Sequence, residues 1–205
     1  SYEITSIMKF ENGSLNFGVY YRDTDDVIER IATFENNVTT TRPENVGTNR
    51  STGVEFNAKY NVTNWLTFTA DVNYNYFNRK GQFDIQNFDF TGDQWSSRVV
   101  SKLKLPADFK VEITGNYRSK YQDVQSEVDD NLFMDLGVRK KLMKGRLNLN
   151  LSIRDVFASR VRRSITDQVD FNRYSYSKRG RFITFGISYG FGKGEAMEYS
   201  GQKRF

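Results

Sequence analysis

The sequence of 205 residues contains no cysteine and no histidine, and it has only two prolines. Without cysteine the protein has no disulfide, no thiolate nucleophile and no thiolate metal site. Without histidine it lacks the most common general base and the most common neutral metal ligand. We therefore expect no enzymatic activity, no catalytic residue, no metal site and no cofactor.

Long apolar runs are also missing. No stretch approaches the roughly 18 apolar residues that a membrane-spanning helix needs. The hydrophobic share of 38% is low for a membrane protein. It does not exclude a transmembrane barrel, in which every second residue faces a polar lumen and the loops lie in water. Spanning helices are therefore excluded, whereas spanning strands are not.

The stretch from Gly53 to Phe77 alternates strictly between apolar and polar side chains. A polar turn at 61–64 divides it, and both halves keep their apolar residues at even positions. Strict alternation is typical of β-strands whose two faces meet different solvents. Each apolar face continues for about ten residues, which lets a strand tilted by about 40° cross the apolar band of an outer membrane. We interpret this stretch as a transmembrane β-hairpin.

The same alternation recurs along the chain and predicts about nine strands. Short turns alternate with long polar connections, which is typical of outer-membrane barrels with short periplasmic turns and long outer loops. We expect an all-β fold, an antiparallel transmembrane β-barrel segment of meandering strands over residues 1–192, and a C-terminal tail over 193–205. The predicted short turns are 12–13, 61–64, 106–108 and 144–145, and the predicted long connections are 27–48, 78–92, 119–131 and 158–178.

Bacterial single-chain barrels have even numbers of strands, so the odd number means either that the count is off by one or that the chain is a piece of a larger barrel. The second interpretation is favoured because Ser1 lies within a strand. The first residues already alternate as a strand, and no signal peptide precedes them. We therefore expect the chain to be a mature fragment.

Aromatic side chains are concentrated near both ends of the predicted strands. Such residues form girdles at the two membrane interfaces of a barrel. Tyr60, Trp65 and Phe109 are expected in the periplasmic girdle, and Tyr21, Tyr76, Trp95 and Tyr117 in the outer one. Tyr189 and Phe191, on the last strand, complete the set and are the expected barrel-insertion signal.

Polar residues on the opposite faces of the strands are candidate contacts for a substrate or for a plug domain. The alternative is that they pair with each other across strands. The candidates are Glu55, Asp71, Asn73, Arg98, Lys102, Glu112 and Arg118.

Basic residues flank the last long connection. The guanidinium group of arginine can donate two parallel hydrogen bonds to phosphate oxygens. These residues are therefore a candidate site for lipopolysaccharide phosphates or for an anionic substrate. The alternative is a solvated loop. Nucleic acid is not an expected partner, because the aromatic residues lie on the strand face opposite the basic ones. The basic candidates are Arg160, Arg162, Arg163, Lys178, Arg179 and Arg181.

Two acidic pairs lie in predicted outer loops, Asp25-Asp26 and Asp129-Asp130. Carboxylates are ligands for Ca²⁺. A solvated loop is the favoured interpretation, because charged loop residues are common.

Three runs of sequence, 49–56, 147–157 and 181–192, together resemble the C-terminal barrel region of TonB-dependent outer-membrane receptors. The likeness is closest to the Bacteroidetes outer-membrane β-barrel family and covers nearly the whole chain. It implies the last strands of a large plugged barrel in the bacterial outer membrane, which imports a scarce nutrient with energy from TonB. The partners that it implies are the lipid bilayer and lipopolysaccharide, the plug domain, TonB, the barrel-assembly machinery and a surface lipoprotein.

Two alternatives remain from the residues alone. The first is a complete small outer-membrane barrel that acts as an adhesin or an anchor. The second is a soluble lipocalin-like β-barrel, a binding module in which the apolar strand faces point inward.

Overall fold

The computed structural model describes residues 1–83, 86–168 and 171–191, and these residues form 15 β-strands and one 3₁₀ turn. The predicted tail 193–205 lies outside the described residues. The strands are β1 (Tyr2–Phe10), β2 (Gly13–Thr24), β3 (Ile28–Glu35), β4 (Val38–Asn45), β5 (Thr48–Thr63), β6 (Leu66–Phe83), β7 (Gln86–Leu105), β8 (Phe109–Arg118), β9 (Tyr121–Gln122), β10 (Ser126–Val128), β11 (Asn131–Leu142), β12 (Leu147–Arg154), β13 (Val161–Asp167), β14 (Asn172–Lys178) and β15 (Phe182–Tyr189), and the 3₁₀ turn is Met143–Gly145.

Nine of the strands form one antiparallel sheet, in the order β1-β2-β5-β6-β7-β8-β11-β12-β15. Each strand pairs with the next one in this order, so the sheet is a meander with hairpins inserted at some of its connections. The predicted all-β antiparallel fold with about nine wall strands is confirmed. Over the described ranges, β1 and β15 do not pair with each other, so the sheet has two open edges.

The apolar side of this main sheet faces outward. Phe56 and Phe68 are each 38% exposed, and Ile187 on β15 is 63% exposed. Phe17 on β2, Phe56 on β5 and Val72 on β6 stand side by side across three strands. Large apolar side chains normally avoid water, so a continuous exposed face of this kind indicates contact with another apolar phase.

The aromatic residues predicted for the two girdles are all exposed, between 38% for Tyr117 and 88% for Phe191. Phe10 joins the girdle near the short turns, with its ring centroid 6.2 Å from that of Tyr60. Trp65, directly before β6, and Tyr76, within it, mark the two ends of the membrane-spanning part predicted for this strand. Tyr76 is 11 positions after Trp65, which corresponds to about 36 Å along the strand, or about 28 Å of height at a 40° tilt. This height is close to that of the apolar band of an outer membrane.

The long connections were predicted as polar loops with strand extensions near 28–34, and outside that stretch the prediction is wrong for much of their length. Residues 28–45 form the β3–β4 hairpin, and 78–92 mostly extend β6 and β7 beyond the girdle. The other two contribute β9, β10, β13 and β14, which form a four-stranded sheet in the order β14-β13-β10-β9. These strands carry no alternating apolar face because they do not cross the membrane, so their backbone pairing leaves no simple sequence signal.

The first short turn also differs from its prediction. Its two residues are Glu11 and Asn12, since Phe10 pairs with Gly13, and Asn12-Gly13 does not adopt positive φ. Gly13 is instead needed for close approach: a Cβ atom there would lie 2.2 Å from the carbonyl oxygen of Lys59. Likewise, β5 continues through most of the predicted turn 61–64, as far as Thr63.

No helix in the described part of the chain is long and apolar enough to span a membrane.

Phe56→Arg tests the orientation of the main sheet. Phe56 lies near the middle of the apolar face, where a bilayer-exposed arginine costs about 2–4 kcal/mol of stability. We expect this loss in urea unfolding of the protein in lipid vesicles. Asn57→Arg, one residue along on the polar face, is the matched control and is expected to change stability by less than about 1 kcal/mol. Equal losses for the two variants would contradict the assigned faces.

Candidate functional site

The polar face of the main sheet brings most of the predicted lumenal residues together. Alternation places Glu55, Asn73 and Arg98 on the same side of β5, β6 and β7. The amide nitrogen of Asn73 donates a hydrogen bond to the Glu55 carboxylate over 3.2 Å. Asp71 stands directly opposite Arg98 in the sheet register, yet no ion pair forms between them.

A cavity of about 630 Å³ lies between this polar face and the four-stranded loop sheet. Pockets of this size are typical of small-molecule sites. Three carboxylates line it, from Glu55, Asp71 and Asp129. Five arginines line it as well, and they come from both predicted sets: Arg98, Arg118, Arg160, Arg162 and Arg179.

Two of these arginines are held against aromatic rings. The guanidinium of Arg160 lies 4.5 Å from the ring centroid of Phe133, and that of Arg118 lies 5.9 Å from the ring centroid of Tyr121. Stacking of this kind fixes the plane of the guanidinium and leaves its edge available for hydrogen bonds. Within the described residues, none of the five cavity arginines forms an ion pair with a carboxylate.

A second cavity of about 330 Å³ continues along the same polar face. It shares Arg98, Asn116, Phe133 and Arg160 with the first cavity. Glu112 also lines it. The two cavities therefore form neighbouring polar spaces with Arg98 and Arg160 between them.

The buried residue Asp155 positions Arg160, and the sequence analysis did not single it out. Asp155 is only 2% exposed, and its carboxylate accepts hydrogen bonds from the backbone N–H groups of Ser159 at 2.8 Å and Arg160 at 3.0 Å. These bonds join the first residue of the β12–β13 connection to its last two residues. Its only sequence signal is an aspartate directly after a strand with a serine four residues later, a combination typical of side-chain-stabilised turns.

Contacts between three outer connections hold the loop layer together. The side-chain amide of Gln125 donates to the carbonyl oxygen of Ala32 over 3.0 Å and accepts from its N–H over 2.7 Å. Ala32 and its neighbour Ile31 are buried, with 5% and 0% exposure. The β3–β4 hairpin is thereby tied to the segment between β9 and β10.

An ionic cluster joins the same parts of the layer. Arg79 on the extension of β6 lies 2.7 Å from the Glu29 carboxylate and 3.4 Å from that of Asp123. Burial raises the pKa of Glu29 above its ordinary value, an effect that Arg79 opposes and Asp123 reinforces. The protonated form of Glu29 is therefore favoured by the folded layer relative to an open loop.

The other predicted site residues lie outside the large cavity. Lys102 and Glu112 pair with each other across β7 and β8 over 3.6 Å, as the cross-strand alternative describes. Arg163 stacks on Tyr176 with 5.7 Å to the ring centroid, and Lys178 and Arg181 are exposed. The basic set therefore divides into three residues that line the cavity and three that do not.

The acidic pairs do not gather into a metal site. No group of three or more candidate ligand residues occurs in the ranges 1–83, 86–168 and 171–191. Asp129 is placed in the cavity lining, whereas Asp25 and Asp26 remain exposed between β2 and β3.

Comparison with known proteins gave one family. The sequence profile of the outer membrane protein beta-barrel family matches residues 1–189, which include all nine strands of the main sheet. Neither the curated proteins nor the solved structures gave a match.

Gln125→Leu tests how the loop layer is held. The substitution leaves the buried N–H and C=O groups of Ala32 without partners, which costs about 2 kcal/mol locally. We expect faster hydrogen exchange and faster proteolysis in residues 28–45, with the main sheet unchanged. Gln122→Leu is the control, because Gln122 is exposed and lies on β9 of the same layer. Equal behaviour of the two variants would contradict the role of Gln125.

The raised pKa of Glu29 predicts that the stability of the loop layer depends on pH. Since its pKa is raised on folding, the folded layer binds more protons, and its stability falls as the pH rises above the ordinary value of 4.5. Hydrogen exchange of β3, corrected for intrinsic rates, is expected to show a larger opening free energy at pH 5 than at pH 8. Glu29→Gln is expected to abolish this difference, whereas Glu35→Gln, at the exposed end of β3, is expected to retain it.

Proposed function

Because the chain belongs to the outer membrane protein β-barrel family, and hence to the bacterial outer membrane, we propose that it forms the C-terminal wall of a TonB-dependent receptor. In this proposal the barrel imports a scarce nutrient, and the outer loops make the first contact with it. The observation that carries the proposal is the polar cavity between the lumenal face and the loop sheet.

The open edges of the main sheet support a larger barrel. Inside a bilayer every backbone N–H and C=O group needs a partner within the protein, so spanning sheets must close. Throughout the described ranges, β1 and β15 pair only with β2 and β12. Further strands between these two edges would satisfy the unpaired groups and enlarge the lumen enough for a plug.

The loop layer supports a receptor. A protein that serves only as an anchor does not need a binding cavity between its outer connections. A receptor needs such a cavity, in which its ligand is bound and desolvated before import. Here three connections pack on each other, and residues of one of them and of the last connection, among them Asp129 and Arg160, line the outer side of a polar cavity. The second cavity extends the polar space along the wall, as a passage for a polar nutrient requires.

The two alternatives have less support. A complete small barrel that serves as an adhesin or an anchor requires its first and last strands to pair, and β1 and β15 do not pair in the part of the chain that is described. A lipocalin-like cup requires the apolar strand faces to point inward, whereas Phe56, Phe68 and Ile187 are exposed. The outer-membrane family of the chain also disfavours a soluble binding module.

Nutrient-limited growth of the source bacterium tests the proposal. We expect a strain without this gene to lose growth on at least one scarce iron chelate, vitamin, glycan or peptide. A strain without TonB is expected to show the same defect, because import through a plugged barrel needs that energy source. Restoring the gene should rescue growth only when TonB is present.

The adhesin alternative makes the opposite forecast for these strains. Loss of the gene would then reduce attachment to surfaces while leaving growth on every limiting nutrient intact. Growth without any nutrient-specific defect, or a defect that is independent of TonB, would refute the import proposal.

A further inference from the structure

The charge of the large cavity suggests what it binds. Its lining contains five arginines and three carboxylates, an excess of two positive charges. One of the carboxylates, Glu55, already accepts a hydrogen bond from Asn73. The cationic groups of the cavity are thus more numerous than the anionic groups that face them.

The cavity arginines differ from the three arginines elsewhere in the described residues that have carboxylate partners. Arg42, Arg50 and Arg79 each form an ion pair, at 2.5, 3.2 and 2.7 Å. The cavity arginines form none, although Asp71 is the register partner of Arg98. Their donors therefore remain available to a ligand.

The arginines are also positioned before any ligand arrives. Arg160 is fixed by the buried carboxylate of Asp155 at its backbone and by the ring of Phe133 at its side chain. Arg98 projects from the middle of a paired strand, and Arg118 stacks on Tyr121. Donors that are already fixed lose less conformational entropy on binding.

We propose that the cavity binds a small polyanionic ligand, and that Arg98 and Arg160 are its principal contacts from the wall and from the loop layer. Guanidinium groups recognise carboxylate and phosphate groups with two parallel hydrogen bonds, so the ligand carries at least two such groups. This inference rests on the proposed function and specifies the substrate class of the receptor.

Lipopolysaccharide is a second source of the same phosphate chemistry, but its place is the lipid side of the barrel. The cavity lies on the opposite side of the sheet, the polar face that carries Glu55, Asn73 and Arg98. The proposal is therefore for a soluble ligand that enters from the lumen or through the loops. Arg163, Lys178 and Arg181 lie outside the cavity and serve as controls.

Binding of pyrophosphate and citrate to the complete receptor, purified with all of its barrel strands and placed in lipid nanodiscs, tests the proposal, with glucose as the neutral comparison. We expect calorimetry to detect both anions and not glucose, with affinity falling as salt rises. Arg98→Gln combined with Arg160→Gln is expected to weaken binding by about tenfold for each arginine. Arg163→Gln combined with Arg181→Gln removes the same charge and is expected to change the affinity by less than about twofold.

A second variant pair separates charge from geometry. Arg98→Lys combined with Arg160→Lys keeps both charges but loses the two-pronged donors, and we expect it to fold like the parent and bind at least about fivefold more weakly. Each variant is checked by its heat-dependent migration on a gel. Failure of the parent protein to bind either anion, or equal weakening by the control pair, would overturn the proposal.

Added lipopolysaccharide should not displace citrate, and displacement would contradict a soluble ligand. The outcomes are independent of the growth experiment. Anion binding without a TonB-dependent defect would remove the import function and keep the site. TonB-dependent growth on neutral nutrients alone, with no anion bound, would remove the site and keep the import function.

Discussion

The pairing of backbone N–H and C=O groups in a medium without water is the constraint on which the rest of the structure depends. In hydrocarbon an unpaired peptide group costs several kcal/mol, roughly as much as a good buried side chain contributes. A strand in a sheet can satisfy this demand only with neighbours on both sides. The seven inner strands of the main sheet have such neighbours, from β2 through to β12. The same sheet then gives one face to lipid and the other to a polar space, which produces the alternation of the sequence.

Beyond the membrane, the connections obey a different rule and form a second layer. Water can solvate their backbone, so their strands need no continuous apolar face. They are held by a small core that includes Ile31, Ala32 and Val128, and by the Gln125 and Arg79 contacts. This layer lies over the polar face because that face does not contact lipid. The cavity is therefore a consequence of two layers that are built on different physical principles.

The sequence was sufficient to predict the wall but not the loop layer. The period of two in β5 and β6 leaves little freedom in the pairing register of these strands. A register shift of one residue would place Phe56 in the lumen and Asn57 in lipid. The same period predicted Glu55, Asn73 and Arg98 on the lumenal face, and the register explains the Lys102–Glu112 pair.

The loop layer has no such period. The polar strand β4 pairs with β3 and begins with β-branched residues, but it has no alternating apolar face that would distinguish it from a polar loop. Arg118 and Arg160 are 42 positions apart, and only the fold of the intervening loops brings them to one cavity. A single buried aspartate, Asp155, holds the backbone of Arg160 directly before β13. Its role depends on burial, which no local pattern reports.

Five guanidinium groups around one space repel each other, and in a partly enclosed site water screens that repulsion less than it does at an open surface. The fold tolerates this cost because the arginines are anchored on two separately stabilised layers: Arg98 and Arg118 on the membrane wall, Arg160, Arg162 and Arg179 on the loop sheet and its flanks. Neither layer depends on the cavity for its stability, so the strain remains where an anion can relieve it. Binding a ligand of the opposite charge would then draw the loop layer and the wall together, because each layer supplies part of the positive charge.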